Sequence, residues 1–308
     1  MELRDLEYFA VVAEHGHVGR AAETLGLSQP ALSKSLRRLE AAMQAKLVRR
    51  TPKGVELTAV GSALRMHVHR LRLSLDDVVH EAADLSQGRA GNLRVGAGAG
   101  MGGYFLAAAC SALLMEAPKA TLALTVAPNA VLLPALHNGE HDLVVSGIPH
   151  SSYQDLVQER LYDDEFVVCA SVNHRLTKRK KVSLADLAQE RWALSSPNDL
   201  SWKRVHRVFE DNALPPPRIA FETSASPIRI QAVASSDLLS FSSRRVLQQA
   251  WQHFPLAELR VKELAWTRPV GVSYRKDAYL SPVAQRFIEI LKVTAKNISA
   301  KFLEPRQA

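Results

Sequence analysis

Cysteine is scarce in this 308-residue chain: only Cys110, in an apolar helical stretch, and Cys169, in an apolar strand-like one, are present. Both read as small core residues, and nothing around either argues for the lowered pKa that a redox switch needs. Metal-ligand spacing is lacking as well. His67 and His69 lie two apart, and His137, His141 and His150 have no cysteine or paired ligand at a suitable interval, which argues against zinc. No apolar run approaches the length of a membrane span, and Met1 to Glu7 lack the basic-then-apolar plan of a signal peptide. A cytoplasmic chain with no membrane partner is expected. No Gly-x-Ser-x-Gly nucleophile elbow occurs, and Ser146, His150 and Asp155 are a local grouping of common residues rather than a hydrolase or transferase site.

What the chain does carry is positive charge. Lys and Arg number 39 against 31 Asp and Glu, a formal net charge of +8 that suits a polyanionic partner. Part of the excess comes from Lys178-Arg179-Lys180-Lys181, which reads as a solvated loop. At 47% hydrophobic and 23% charged, the composition is that of a globular protein long enough for two or three domains.

The charge is organised near the N-terminus. Ala21 and Ala22 are small enough for two helices to cross, Gly26 permits a sharp turn, Ser28 can cap the next helix, and Pro30 falls in its first turn. From there Ala31, Leu32, Leu36 and Leu39 recur at helical spacing and face a core, which leaves Gln29, Ser33, Lys34 and Arg37 on the other side to reach base edges. Between Ser28 and Gly54 the positive side chains are Lys34, Arg37, Arg38, Lys46, Arg49, Arg50 and Lys53, against the single acid Glu40. Arg49, Arg50 and Lys53 flank the turn residues Pro52 and Gly54, so a basic hairpin is expected to reach the DNA backbone or minor groove. A lone basic helix would be a solvated face. Here turn, cap, small crossing residues and wing agree on a winged helix-turn-helix over residues 1–58, with Arg20, Ser28, Gln29, Pro30, Ser33, Lys34, Arg37, Arg38, Arg49, Arg50 and Lys53 as the candidate DNA-facing set.

After Thr58, Leu64, Leu71, Val78 and Leu85 recur every seven residues, with Val68, Leu75 and Ala82 four residues after the first three. This heptad seam predicts a long helix whose apolar stripe pairs with the same stripe of another chain; packing on the chain's own next domain is the alternative. Gln87 to Asn92 breaks the helix, so residues 59–91 read as dimerisation helix and hinge.

Beyond the hinge, strands alternate with helices. Leu93–Ala97, Leu122–Val126 and Asp142–Ser146 read as strands around helices at Gly103–Ala117 and Ala130–His137. A second set follows, with strands at 191–194, Arg218–Glu222 and Leu238–Phe241 and helices at Trp202–Asn212 and Ile228–Ala234. Such βαβαβ sets predict parallel sheets, while Glu165–Ser171 and Val270–Tyr274 read as strands crossing between two lobes and Ser281–Ile298 as a closing helix. Residues 92–308 thus form a ligand-binding domain, with lobe I at about 92–164 and 266–308 and lobe II at about 165–265. Ligands of open α/β sheets bind outside the carboxyl ends of the strands. The candidate effector residues are therefore Gly98, Gly100, Met101, Gly102, Pro128, Asn129, Ser146, Gly147, Ile148, Ser195, Ser196, Ser201, Trp202, Thr223, Ser224 and Phe241, a set suited to a small anionic ligand.

Arranged in this order, the chain resembles a LysR-type transcriptional regulator over nearly its whole length. The resemblance is carried most specifically by Arg20-Ala21-Ala22, Leu27 to Ser33 and Arg49 to Thr58. It implies two periplasmic-binding-protein-like lobes, a homotetramer built as a dimer of dimers on an interrupted inverted repeat of promoter DNA, RNA polymerase as a partner, and an effector that changes how the subunits are disposed on DNA. It implies no enzyme activity and no cofactor beyond the effector. Five positions depart from the family. His17 and Gly19 stand where hydroxyl residues are common, weakening or replacing a helix cap and a phosphate contact, and Val48 stands where an aromatic is usual. Gly98 and Gly100 replace the Ser or Thr that often holds an effector carboxylate, which shifts recognition toward Ser195, Ser196, Ser201 and Thr223.

Two rival functions remain. The glycine-rich turn after a strand is shared with nicotinamide-dependent oxidoreductases, but Ala127-Pro128-Asn129 stands where an acidic residue would hold a ribose. A small-molecule-binding module acting mainly through protein contacts is the other. For a regulator, effector binding is expected to close the lobes and to act on DNA through the long helix and the hinge at 88–91, biasing an equilibrium by binding one arrangement more tightly.

Overall fold

A computed structural model describes residues 2–87, 91–98, 100–101, 105–148 and 153–301, without the side chains of 80, 81, 83–87 and 299–301. Gly102, His150, the Leu85 side chain and most of the hinge at 88–91 lie outside the described residues. The chain divides into two compact units, Met1–His80 and the remainder from Glu81. By packing, the division falls within the long helix, beyond both Thr58 and the start of the helix.

The first unit is built from α1 (Leu3–His15), α2 (Val18–Thr24), α3 (Gln29–Met43), β1 (Val48–Thr51), β2 (Gly54–Leu57) and the start of α4 (Ala59–Gln87). Leu6 and Phe9 of α1, Leu36 and Leu39 of α3, Leu47 and Val68 form one core. A second forms where the helices cross, from Val12, Ala21, Ala22 and Leu32. Ala31 was expected in the core but is exposed, because it sits at the edge of the Leu32, Leu36, Leu39 stripe; Ser35, nearer its centre, is buried instead. β1 and β2 pair antiparallel. Their turn is tied to the α1–α2 junction by Val55 N–H donating to the Gly16 carbonyl at 2.8 Å. Gly54 is required there: its φ is +136°, and a Cβ would lie 2.2 Å from the Gly16 oxygen.

The heptad seam is divided between two partners. Val68 is 2% exposed, and Leu64 packs beside it against the unit's own core, so these two belong to the winged domain. Leu71, Leu75 and Val78 remain 38%, 43% and 60% exposed, and Ala82 is exposed too.

The second unit contains β3 (Asn92–Ala97), α5 (Phe105–Glu116), β4 (Thr121–Val126), α6 (Asn129–His137), β5 (Leu143–Gly147), β6 (Leu156–Ser171), α7 (Leu184–Ala188) and β7 (Arg191–Leu194). It continues through α8 (Leu200–Asp211), β8 (Arg218–Glu222), α9 (Ser226–Ala234), β9 (Leu239–Ser243), α10 (Arg244–Ala250), β10 (Leu256–Leu259), β11 (Trp266–Arg275) and α11 (Pro282–Lys301). Among the described residues, nine strands form one mixed sheet in the order β4-β3-β5-β11-β6-β9-β7-β8, with β10 on β6. Each lobe contributes a parallel wing, β4-β3-β5 and β9-β7-β8. The antiparallel pair β6 and β11 joins them from Leu156 to Phe166. The strands expected to cross between the lobes thus link the two parallel wings into one sheet. The first half of β6 is missed by apolar patterning because it carries Gln158, Glu159, Arg160, Asp163 and Asp164. α7, α10 and β10 are likewise absent from the sequence reading. Cys169 is buried and its thiol pushed up to about 12 by burial, and half-buried Cys110 is raised for the same reason, so neither has thiolate character.

Candidate functional site

The candidate DNA face is built on α3. Ser28 caps the helix, its hydroxyl accepting from Ala31 N–H at 3.4 Å, and exposed Pro30 lies in the first turn. Gln29, Lys34 and Arg37 are exposed and Ser33 half-buried, so the four expected base readers share the uncovered side of the helix. α2 begins at His17, whose Nδ1 accepts from Gly19 N–H at 3.1 Å and Arg20 N–H at 3.4 Å. The imidazole thus replaces the hydroxyl cap that the family resemblance led one to expect.

Not every basic residue of the expected set is free. Arg20 donates to the His15 carbonyl at 3.1 Å, and Arg49 pairs with Glu56 across the hairpin at 2.6 Å. Arg38 is engaged in an intramolecular pair. Its guanidinium holds buried Asp5 through Nε at 2.9 Å and a second bond from Nη2, while Ser35 donates to the same carboxylate at 2.6 Å. The Arg38 bonds hold the Asp5 carboxyl well below the usual carboxylate range, outweighing its burial. The structure therefore assigns Arg38 to the α1–α3 contact. Arg50 and Lys53 stay exposed on the wing. Val48, in place of an aromatic, still packs partly buried against the core.

In the second unit, the strand ends converge at the crossing of β6 and β11. A polar cavity of about 20 Å³ is walled by Gly100, Phe166, Asp199, Ser201, Ser226, Arg229, Ser242, Ser243, Val246 and Arg268. Of the expected effector residues, Gly100 and Ser201 line it directly. Ser195 stands behind Ser201, with their hydroxyls 2.9 Å apart, and Asp199 accepts from Ser201 N–H and Oγ, both at 2.8 Å. Thr223 positions Arg229, its carbonyl accepting from Nη1 at 2.8 Å. Asn129 ties α6 to β5 through the Gly147 carbonyl at 2.8 Å, and Ile148 N–H donates to Pro269 at the same distance. Ser146 is buried within β5. Pro128 caps α6, and Gly98 lies against Ser146 and Met101. Ser196 accepts from Asp199 N–H at 2.8 Å, and Ser224 is half-buried.

Three expected residues are placed elsewhere by packing. Phe241 is in the lobe II core against Phe166, and Met101 is in the lobe I core, its sulfur accepting from Tyr162 at 3.2 Å. Trp202 stacks on His206 with ring centroids 3.4 Å apart.

The cavity's charge was not read from the sequence. Arg229 is buried, and its Nε has no hydrogen-bond partner among the described residues. Burial lowers its pKa. Arg268 lies over the Phe166 ring, 4.4 Å from the centroid, and its Nε is also unpartnered among the described residues. Asp164 sits below, accepting from the Ser243 hydroxyl at 2.6 Å, and burial raises its pKa. The available signal was a lone arginine in the otherwise apolar stretch Pro227-Ile228-Arg229-Ile230. Arg229 and Arg268 share the cavity with Asp199 and serine hydroxyls, and burial disfavours the charged form of Asp164 beside them, a balance that favours an anion.

Among the described residues no helix is long and apolar enough to cross a membrane. Comparison with known proteins matches both units. Residues 3–62 fit the bacterial regulatory helix-turn-helix protein, lysR family, and residues 86–296 fit the LysR substrate binding domain. The transcriptional activator CmpR of Synechocystis is 29% identical over 289 residues, covering 94% of each chain. The full-length CbnR structure in complex with its target DNA shares the fold, with TM-score 0.61 and 22% identity over 96% of this chain and 100% of that one. The Synechocystis CcmR regulatory domain in complex with 2-PG has TM-score 0.61 and 21% identity over 67% of this chain and 98% of its own. The chain belongs to the LysR family: it is a DNA-binding transcriptional regulator whose activity is modulated by a small-molecule effector bound between two α/β lobes.

Proposed function

We propose that Gln29, Ser33, Lys34 and Arg37 read operator bases, that Arg50 and Lys53 contact the backbone, and that the effector is a small anion held by Arg229, Arg268 and Ser201. The observation that carries the effector assignment is the buried Arg229 guanidinium, whose Nε lacks a partner while it faces a cavity lined by hydroxyls. A buried cation is retained where an anion completes it. CcmR, solved with 2-PG, supports a small-molecule site in this fold. The exposed Leu71, Leu75 and Val78 support pairing of α4 with a second copy, and CbnR, solved with its target DNA, supports DNA binding by a chain of this fold. The resulting regulator is a cytoplasmic homotetramer with no enzymatic activity and no cofactor.

The test is recovery of genomic DNA bound in the cell, followed by footprinting with and without candidate anions. A shared interrupted inverted repeat whose footprint changes with an anion supports the reading. Binding with no shared motif would refute the base-reading assignment. An anion response retained in Arg229→Gln would refute the effector site.

A further inference from the structure

The polar cavity is only one end of the cleft. A second cavity of about 580 Å³ shares Gly100, Ser226, Ser243 and Val246 with its wall. Its own lining is mostly apolar: Phe105, Leu124 and Val126 from lobe I, and Ile230, Val246 and Phe254 from lobe II. Leu124 and Val126 alternate on one face of β4 and stay 41% and 53% exposed, which is unusual for apolar side chains of a strand. Arg245 also lines this cavity, with its guanidinium 4.7 Å from the Tyr162 ring centroid, so the positive charge continues from the polar end into the mouth of the apolar one.

A small inorganic anion would fill the polar end alone. About 20 Å³ suits the oxygens of one carboxylate, whereas about 580 Å³ falls within the range of pockets that enclose drug-sized organic ligands. The adjoining walls make one site with a cationic head and an apolar body.

We propose that the effector is an amphipathic carboxylate, its carboxylate on Arg229, Arg268 and Ser201 and its hydrocarbon part in the chamber formed by Phe105, Leu124, Val126, Ile230, Val246 and Phe254. This rests on the anion site proposed above and adds the class of molecule. Arg229 anchors the head, and the chamber selects for length, because each methylene withdrawn from water tightens binding by about fourfold.

The test is calorimetric titration of the full-length protein with straight-chain carboxylates from butanoate to dodecanoate, beside alkyl phosphates of equal length. Affinity is expected to climb about fourfold per methylene until the chamber is full. Arg229→Gln should weaken every member at least tenfold, with Arg268→Gln as the second variant if the first fails to fold. Val126→Asp, at a half-exposed position, should flatten the length dependence. Arg229-dependent binding with no dependence on length would overturn the amphipathic class and leave the anion site standing. Binding indifferent to both arginine variants would overturn the anion site itself. Preference for alkyl phosphates would overturn the carboxylate head. A change of oligomeric mass in Val126→Asp, with the length dependence intact, would assign the apolar face to a second copy of the chain and overturn the proposal.

Discussion

Replacing Arg38 by alanine separates fold from recognition. Asp5 is buried and accepts hydrogen bonds from Ser35 at 2.6 Å, Arg38 Nε at 2.9 Å and Glu2 N–H at 3.2 Å, with Arg38 Nη2 as a further donor. Arg38→Ala leaves this carboxylate buried with neutral donors only. The guanidinium is 47% exposed and solvent screens it, so the loss falls mainly on the buried carboxylate left without its charged donor. In urea this lowers the midpoint of the N-terminal unit's transition by roughly 0.5–1 M. The pH dependence follows from the direction of the shift. Arg38 holds the Asp5 carboxyl below its unfolded value of about 3.9, so its stabilisation is complete above that pH and is lost as pH falls through the depressed folded value. In the variant, Asp5 protonates near or above pH 4 and the penalty is relieved, so the gap between variant and parent narrows as pH falls below about 4. DNA affinity at fixed salt should keep its base preferences, and its salt slope should not change. An unchanged urea midpoint, a gap independent of pH between 7 and 3, or a salt slope lower by about one phosphate contact would refute the assignment of Arg38 to the fold.

Lys34→Ala and Arg37→Ala should each reduce operator affinity by about 1–3 kcal/mol and relax the base preference at one position, measured by competition binding over randomised operators. Leu75→Asp should abolish pairing through α4, seen as a lower mass by light scattering, without altering the unfolding midpoint of the winged unit, because Leu75 is 43% exposed. Val68→Ala should do the reverse, destabilising that unit by about 2 kcal/mol in chemical unfolding, because Val68 is 2% exposed in its core. Gly54→Ala should cost about 2–4 kcal/mol and loosen the wing, detectable as faster amide exchange at Val55, since both the positive φ and the 2.2 Å approach to Gly16 oppose a Cβ.

The winged helix-turn-helix, the helix after it and the alternation of strands and helices behind are legible in residue types and spacing alone. These are local matters: a serine cap, a proline in the first turn, glycines at positive φ and apolar spacing each act within a few residues, so their meaning survives without knowing what packs where. Ser28, Gly54 and the exposed Gln29, Lys34 and Arg37 illustrate this. Which like residues do unlike work depends on long-range contacts. Arg37 and Arg38 are neighbours in sequence, yet Arg38 meets Asp5, 33 residues away. Leu64 and Leu71 are equivalent in the heptad, yet one faces the domain's own core and the other solvent. Arg229, Arg268, Ser201 and Ser243 come from α9, β11, α8 and β9, and meet because β6 and β11 cross between the lobes. Burial and charge pairing depend on contacts between distant segments, and those contacts exist only once the chain has folded.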